Sequence, residues 1–240
     1  MRELEKYAKV TYISIFVLIV FWLLMSIVIQ GILYPPTKSV SSTYDALIYY
    51  SHLKGYYGFD HVTKGISYLL GLIIPIYIFI KFKPKIGYIN SNTFIMLVFG
   101  LLYFLINGMS LIVQGITAEY TINSVKNDNI HHSHDFAVNL FNWVIKDGGI
   151  SFSTYITCSI CLLIWIYATS SFLKNSRNKV LSMIVNVIKV VIISLVIIAT
   201  IASIYQNISL ANTFFSIIDI LALIWIFILL FNKSEAVENS

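Results

Sequence analysis

Six long apolar runs alternate with more polar segments along this chain. The runs cover about residues 10–33, 65–82, 92–116, 151–172, 184–206 and 212–231. Each is close to the roughly 20 residues that a helix needs to cross about 30 Å of hydrocarbon. They are continuously apolar, whereas strands of a membrane β-barrel alternate apolar and polar positions. The pattern predicts an all-α integral membrane protein with about six transmembrane helices in one domain, 1–240.

Composition excludes a soluble domain. Of 240 residues, 58% are hydrophobic and only 11% are charged, whereas about 25% charged residues is usual in soluble domains. The first run, from about Val10 to Leu33, is too long for the apolar part of a cleavable signal peptide, and no small-residue cleavage site follows it. We therefore expect this run to remain in place as a signal anchor.

Lysine and arginine residues are distributed unevenly between the two predicted sides. With the N-terminus inside, ten lie on inner segments and five on outer ones. The inner ten are Arg2, Lys6, Lys9, Lys81, Lys83, Lys85, Lys174, Arg177, Lys179 and Lys233, and the outer five are Lys38, Lys54, Lys64, Lys126 and Lys146. Because positively charged loops stay in the cytoplasm, both termini are predicted to be cytoplasmic.

The net charge of +5 follows mostly from this bias. It favours attraction to anionic lipid in the bilayer and gives no evidence for binding nucleic acid. The abundance of isoleucine, asparagine, lysine and tyrosine is typical of an AT-rich bacterial genome, which predicts a bacterial plasma membrane as the location.

Three outer loops are predicted, at 34–64, 117–150 and 207–211. The first two exceed the roughly 2–8 residues of an ordinary helix–helix connection, and each is predicted to carry a short amphipathic helix. Such helices either lie in the membrane interface or cover the bundle as a lid.

The two amphipathic helices have distinct boundaries and apolar faces. Ser42 or Thr43 is expected to begin the first, which ends near Lys54 and places Ala46, Leu47, Tyr50 and Leu53 on one face. Asp135 is expected to begin the second, which ends at Lys146-Asp147-Gly148-Gly149. The apolar residues of this helix are expected to face either lipid or the bundle, and they are Phe136, Leu140, Phe141, Trp143 and Val144.

All five histidines lie in or beside these two loops. The densest group is His131, His132 and His134 with Asp135. Imidazoles and a carboxylate at this density are able to bind zinc or copper, with Asp60 and His61 as further ligands from the other loop. The same group can act as a pH sensor or be merely solvated. Its spacing does not match H-E-x-x-H or another metalloenzyme motif.

A few polar residues interrupt the apolar runs. Asp219 is the only acid clearly inside one, and an intramembrane carboxylate suggests a proton or cation relay or a neutral hydrogen-bonded acid. Asn107, Gln30 and Gln114 are further polar candidates for a transport pathway. Lys189 lies nearer the inner end of the fifth run, and its ammonium group is expected to snorkel inward rather than to pair with Asp219.

Two short motifs recur at an offset of 84 residues. Gln30-Gly31-Ile32 returns as Gln114-Gly115-Ile116, and Gly65-Ile66-Ser67 returns as Gly149-Ile150-Ser151. The repetition suggests hairpins related by duplication, an arrangement that many transporters use. Chance similarity of apolar sequence is the alternative. Pro75 and Gly108 are expected to loosen a helix or to allow close packing.

Other motifs exclude several activities. Cys158 and Cys161 form C-x-x-C within the fourth run, where burial disfavours the thiolate and two small apolar fillers are expected. No Walker A motif, no G-x-S-x-G elbow and no histidine inside a run occur. These facts argue against an ATPase, a serine hydrolase and a bis-histidine haem protein, and leave catalysis uncertain but disfavoured.

Three classes of function remain. The sequence favours a membrane module with a protein partner or homo-oligomer, either an accessory subunit of a bacterial export system or an immunity protein. The aromatic-rich outer loops suit such contacts. The first alternative is a small-solute or ion transporter using Asp219. The second is an outer-face metal-dependent enzyme using the histidine group around His131.

Overall fold

A computed structural model describes residues 1–36, 42–53, 55–82, 91–126, 131–146, 149–174, 179–205 and 207–232. Helices dominate these ranges, and no strand occurs within them. Six helical segments are long and apolar enough to cross a membrane. The predicted all-helical class with six candidate spans is therefore confirmed.

The helices follow the chain in a simple order. α1 (Arg2–Ser26) continues as a π-helical segment, Ile27–Leu33, and α6 (His131–Phe141) continues as another, Asn142–Lys146. The others are α2 (Thr43–His52), α3 (Tyr56–Leu70), α4 (Ile73–Phe82), α5 (Ser91–Lys126), α7 (Ile150–Lys174), α8 (Lys179–Ile204) and α9 (Ile208–Phe231).

Two helices extend beyond the apolar runs into segments that the sequence predicts as outer loops. α3 begins at Tyr56 instead of 65, and α5 continues to Lys126 instead of ending at 116. Much of the predicted loop 117–150 is therefore helical. A helix does not have to stop where its residues become polar, since its backbone hydrogen bonds continue wherever packing supports them.

Pro75 explains the interruption between α3 and α4, which covers Gly71 and Leu72. A proline ring clashes with the carbonyl four residues earlier, here that of Gly71, and supplies no N–H to bond it. The Gly71 carbonyl instead accepts a hydrogen bond from the Ile74 backbone at 2.9 Å. The expected loosening of the second span at Pro75 is present, one turn before the proline.

Four glycines bring α3 and α5 into close antiparallel contact. A Cβ atom added to Gly65 would lie 2.7 Å from the Gly108 carbonyl oxygen, and one added to Gly108 would lie 2.9 Å from that of Gly65. A Cβ on Gly115 would lie 2.9 Å from the Gly58 carbonyl oxygen. Only residues without a side chain allow two backbones this close. The expected close packing at Gly108 is confirmed.

α1 contacts different helices along its length. The Tyr12 hydroxyl donates to the Leu223 carbonyl of α9 at 3.1 Å, whereas Trp22 Nε1 donates to Thr63 of α3 at 2.9 Å. The beginning of α1 thus lies against the second half of α9, and its later turns lie against α3. Much of the first half of α9 is left uncovered on this side, and Asp219 is exposed there.

Lys81 of α4 forms hydrogen bonds with the C-terminal end of α9. Its Nζ donates to the Leu229 carbonyl at 2.8 Å and to the Asn232 carbonyl at 2.9 Å. These carbonyls are at a helix C-terminus, where a cation also meets the negative end of the helix dipole. The start of α1 is at the same end of the bundle, because Lys9 Nζ lies 5.3 Å from the ring centre of Phe231.

A separate small core lies at the other end. It is formed by α2, α6 and the last turns of α5, which we call the cap, and its buried residues are Leu47, Ala118, Ile122, Val125, Ala137 and Phe141. The predicted helix α2 is present and begins with a capping box, in which Ser42 and Asp45 bond each other's backbone N–H. Burial raises the pKa of the Tyr50 hydroxyl, which keeps this cap residue neutral.

The second cap helix begins earlier than the sequence predicts. α6 begins at His131, four residues before Asp135. Ala137, Phe141 and Val144 are buried, but Phe136 and Trp143 are 56% and 58% exposed. The buried positions follow helical spacing of four and three residues, so side chains one position earlier point away from the cap core.

Candidate functional site

A row of polar side chains runs along the buried face of α5. Tyr103, Asn107, Ser110 and Gln114 are spaced by four, three and four residues and are all buried. This spacing places them on one face of the helix. Within an apolar bundle such side chains must find partners or lose much of their hydration free energy.

Ser110 and Gln114 connect α5 to α7. Gln114 Nε2 donates to Ser110 Oγ at 2.9 Å, and the Ser110 and Thr154 hydroxyls share a hydrogen bond of 2.9 Å. The Gln114 side chain also interacts with the Tyr155 hydroxyl. Ser110 is therefore bonded across the interface to α7 and also accepts the bond from Gln114 within α5.

The polar side chains one to two turns earlier in α5 have fewer hydrogen-bond partners. Tyr103 lies near Tyr68 of α3, with ring centres 6.5 Å apart, and their hydroxyls interact. That approach lacks good hydrogen-bond geometry, because Tyr103 Oη has no partner among the described residues. The same holds for Asn107 Nδ2 and Trp165 Nε1. Buried polar groups are normally paired, so this part of the bundle has unused hydrogen-bonding capacity.

Asp219 approaches this region from α9. Its carboxyl group lies within electrostatic range of four side chains, which are Tyr68, Tyr103, Tyr155 and Cys158. One turn earlier, Phe215 stacks on Tyr155 with ring centres 5.3 Å apart. The carboxyl group has many protein atoms around it, yet its side chain is exposed. Asp219 therefore lies at the edge of the bundle, close to Tyr155 and with its side chain open to the surroundings.

We call the side chains Tyr68, Tyr103, Asn107, Ser110, Gln114, Thr154 and Tyr155 the polar track, and Asp219 lies beside it. Hydroxyls, amides and one carboxyl group can solvate a small cation or pass a proton. The sequence analysis identifies Asp219 and two residues of the track, Asn107 and Gln114, as candidates. The four-three-four spacing on α5 was a signal that could have added Tyr103 and Ser110.

Gln30 and the two cysteines, Cys158 and Cys161, are the other polar or reactive candidates within the spans. Gln30 interacts with the Tyr56 hydroxyl, as does Ser26, and no contact with Asp219 is found among the described residues. Cys158 and Cys161 are both buried and free, in agreement with their expected role as fillers.

Charged residues gather where α3 begins. Glu119 of α5 accepts a hydrogen bond from the Gly58 backbone N–H at 3.0 Å. Two residues after Gly58, Asp60 contacts Lys64 at 2.5 Å and His61 at 3.2 Å. The His61 ring stacks on Tyr57 with ring centres 4.3 Å apart. The sequence did not single out Glu119, because a lone acid in a loop of unknown path carries no distinctive pattern.

The histidine group is described only in part. His134 lies beside the Tyr44 ring, with centres 5.8 Å apart, and Asp135 is exposed on α6. The side chains of His131 and His132 are outside the described residues. Within the described part of the chain, no three potential metal ligands cluster. Binding of zinc or copper by His131, His132, His134 and Asp135 stays a prediction.

No protein-family model, curated protein or solved structure matches this chain.

Proposed function

We propose that this multi-pass membrane protein is a small-solute or ion transporter, in which Asp219 and the polar track conduct a proton or another small cation. The observation that carries the proposal is the position of Asp219, a carboxyl group inside the apolar helix α9 and beside Tyr68, Tyr103 and Tyr155. An acid in this setting is costly and is characteristic of ion and proton pathways.

The polar track supplies what such a pathway needs. The Gln114 amide nitrogen, the Ser110 hydroxyl and the Thr154 hydroxyl follow one another at hydrogen-bond distance, and the two hydroxyl oxygens can replace part of the hydration shell of a small cation. The unpaired donors of Tyr103 and Asn107 can hold water or a polar solute. The interruption of the second span before Pro75 lies on the same side of α5 and resembles the discontinuous helices of transporters.

We also propose a bacterial plasma membrane as the location, with both termini in the cytoplasm. The ten-to-five bias of lysine and arginine supports this orientation. The contact between the start of α1 and the end of α9 also supports it, because it puts both ends of the helical bundle on one side. The cap would then face outward, with Asp219 below it.

A flux measurement tests the proposed role of Asp219. Purified protein is reconstituted into liposomes that contain a pH-sensitive dye, and a potassium diffusion potential drives proton entry. We expect acidification faster than in empty liposomes, reduced at least tenfold by Asp219→Asn, since a neutral amide cannot accept a proton. Asp135→Asn is the matched control, because it makes the same change on the exposed surface of the cap. Sodium entry is followed in parallel with a sodium-sensitive dye.

Two results would contradict the proposal. One is the absence of both proton and sodium flux in the parent protein. The other is equal flux in the parent and in a folded Asp219→Asn protein, with folding checked by gel filtration and by thermal unfolding.

A second candidate is a membrane module that binds a protein partner or a second copy of itself, as in an export subunit or an immunity protein. It is favoured by exposed aromatic residues on the cap and in the segment after α6, where Phe136, Tyr120 and Trp143 are each more than half exposed. Aromatic residues of this kind are enriched at protein interfaces. A photo-crosslinking residue at position 143 would form a discrete protein adduct in cells if a partner covers the cap, and a lipid adduct if the cap lies in the membrane interface.

A further inference from the structure

A groove between α7 and α8 is the most distinctive feature outside the polar track. It has a volume of about 290 Å³ and is lined by Leu163, Ile164, Ile166, Tyr167, Lys189 and Ile193. Its walls are almost wholly apolar, and the stems of Lys189 and Tyr167 form part of them. The groove opens to the outside of the bundle, because Tyr167 is 72% and Ile193 is 43% exposed. In a membrane this surface faces lipid.

Lys189 is held toward one end of this groove. Its Nζ lies 5.0 Å from the ring centre of Tyr167, a cation–π distance. Lys189 is ten residues after the start of α8 and Tyr167 is seven before the end of α7, which corresponds to roughly 15 and 10 Å along the helices. The lysine side chain therefore leans toward the α7–α8 connection, in agreement with the expected snorkelling.

We propose that this groove binds an anionic phospholipid of the cytoplasmic leaflet. Lys189 Nζ would hold the phosphate, with the Tyr167 hydroxyl beside it, and one acyl chain would lie in the apolar part between Leu163 and Ile193. The charge selects an anion, and the almost wholly apolar lining selects a molecule with a hydrocarbon tail. The volume is near the lower limit of about 300 Å³ for small-ligand pockets, so one chain segment fills it.

The site is independent of the transport proposal, because it lies on the far side of α7 from the polar track. The proposed orientation places the α7–α8 connection on the cytoplasmic side, where anionic lipids attract basic residues. The bound lipid would link α7 to α8 on the surface of the bundle.

Native mass spectrometry tests this inference. Detergent-purified protein is titrated with phosphatidylglycerol or with phosphatidylcholine of the same acyl chains, and lipid adducts are quantified. We expect the parent to prefer phosphatidylglycerol and Lys189→Gln to reduce that preference about fivefold, the effect of one lysine near a membrane surface. Lys6→Gln is the matched control, since it removes a cation from the exposed start of α1. Ile193→Trp fills the groove while keeping the charge, and it should lower binding of both lipids.

Four outcomes would overturn the inference. They are a parent without preference for phosphatidylglycerol, a Lys189→Gln protein with the parent's preference, an Ile193→Trp protein with the parent's adducts, and displacement of the lipid by millimolar inorganic phosphate. The last would mean that the site binds a phosphate anion without needing a lipid tail. Gel filtration establishes that each variant is folded.

Discussion

At the scale of single residues, Glu119 of α5 caps the N-terminus of α3 and so joins the two helices. Gly58 is in the first turn of α3, where backbone N–H groups have no partner within the helix, and the Glu119 carboxylate accepts one of them at 3.0 Å. A Cβ atom on Gly58 would overlap the Glu119 side chain. The missing side chain of Gly58 thus leaves space for the Glu119 side chain, and the Glu119 carboxylate pairs with a backbone N–H in the first turn of α3.

We expect Glu119→Ala to lower the free energy of unfolding by about 1–2 kcal/mol, the usual cost of losing a side-chain cap with its charge near the helix N-terminus. SDS-induced unfolding in mixed micelles measures the difference. Glu3→Ala serves as the control, because that acid is exposed at the start of α1. Equal stability of the Glu119→Ala and parent proteins would show that the contact contributes nothing.

Asp219 stands out in the sequence, whereas the side chains around it do not. A carboxyl group within an apolar run is conspicuous in the sequence, and the proposed pathway depends on it. Its tyrosine neighbours are not conspicuous, because the chain has 16 tyrosines and many of them are interfacial anchors. Only the packing of α3, α5 and α7 identifies Tyr68, Tyr103 and Tyr155 as the ones near Asp219.

At the scale of helices, the α3–α5 pair depends on two glycines seven residues apart on each partner. Gly58 meets Gly115 and Gly65 meets Gly108. In a membrane, helices gain little from the hydrophobic effect when they associate, so close backbone packing supplies much of the attraction. The heptad spacing keeps both pairs on one seam of the interface.

We expect Gly108→Ala to destabilise the protein by about 1–3 kcal/mol, because the new methyl group would lie 2.8 Å from the Leu69 side chain and 2.9 Å from the Gly65 carbonyl. Gly31→Ala is the control, since an added Cβ there has nothing within 4 Å. SDS-induced unfolding again gives the comparison. A Gly108→Ala protein as stable as Gly31→Ala would exclude close packing as the role of this glycine.

At the scale of the whole molecule, the described residues form two apolar cores rather than one. The large core lies in the transmembrane bundle, and the small one holds the cap together around Leu47 and Phe141. Thr43 links the cap to the segment after α6, since its hydroxyl donates to Asn142 Oδ1 at 2.6 Å. The cap is therefore a folded unit seated on α5, and not a pair of separate loops.

We expect Leu47→Ala to loosen the cap without unfolding the bundle. Removing a fully buried leucine side chain costs about 2–5 kcal/mol, and in this case the loss falls mainly on the small core. Hydrogen–deuterium exchange should increase in 43–52 and 131–146 and stay unchanged in α7 and α9. Phe136→Ala is the control, because that side chain is 56% exposed. Uniformly faster exchange throughout the chain would mean that cap and bundle unfold as one unit.

The spans could be predicted because hydrocarbon imposes a simple rule on the sequence. A helix that crosses about 30 Å of lipid needs a long apolar run, and six such runs correspond to six candidate spans. Helix ends were predicted less well. Tyr56 and Lys126 lie beyond the apolar runs, where tertiary packing rather than lipid decides how far the helix continues.

The sequence by itself determined the class of protein, the approximate spans, the break before Pro75, the first cap helix and the prominence of Asp219. Each of these rests on local properties of the chain, which are hydropathy, backbone chemistry and the cost of a buried charge. The tertiary structure alone decided that Gly58 meets Gly115, that Glu119 caps α3 and that Asp219 lies beside the polar track. These contacts join residues more than 40 positions apart, and complementary packing of particular helix faces, rather than a local pattern, brings them together.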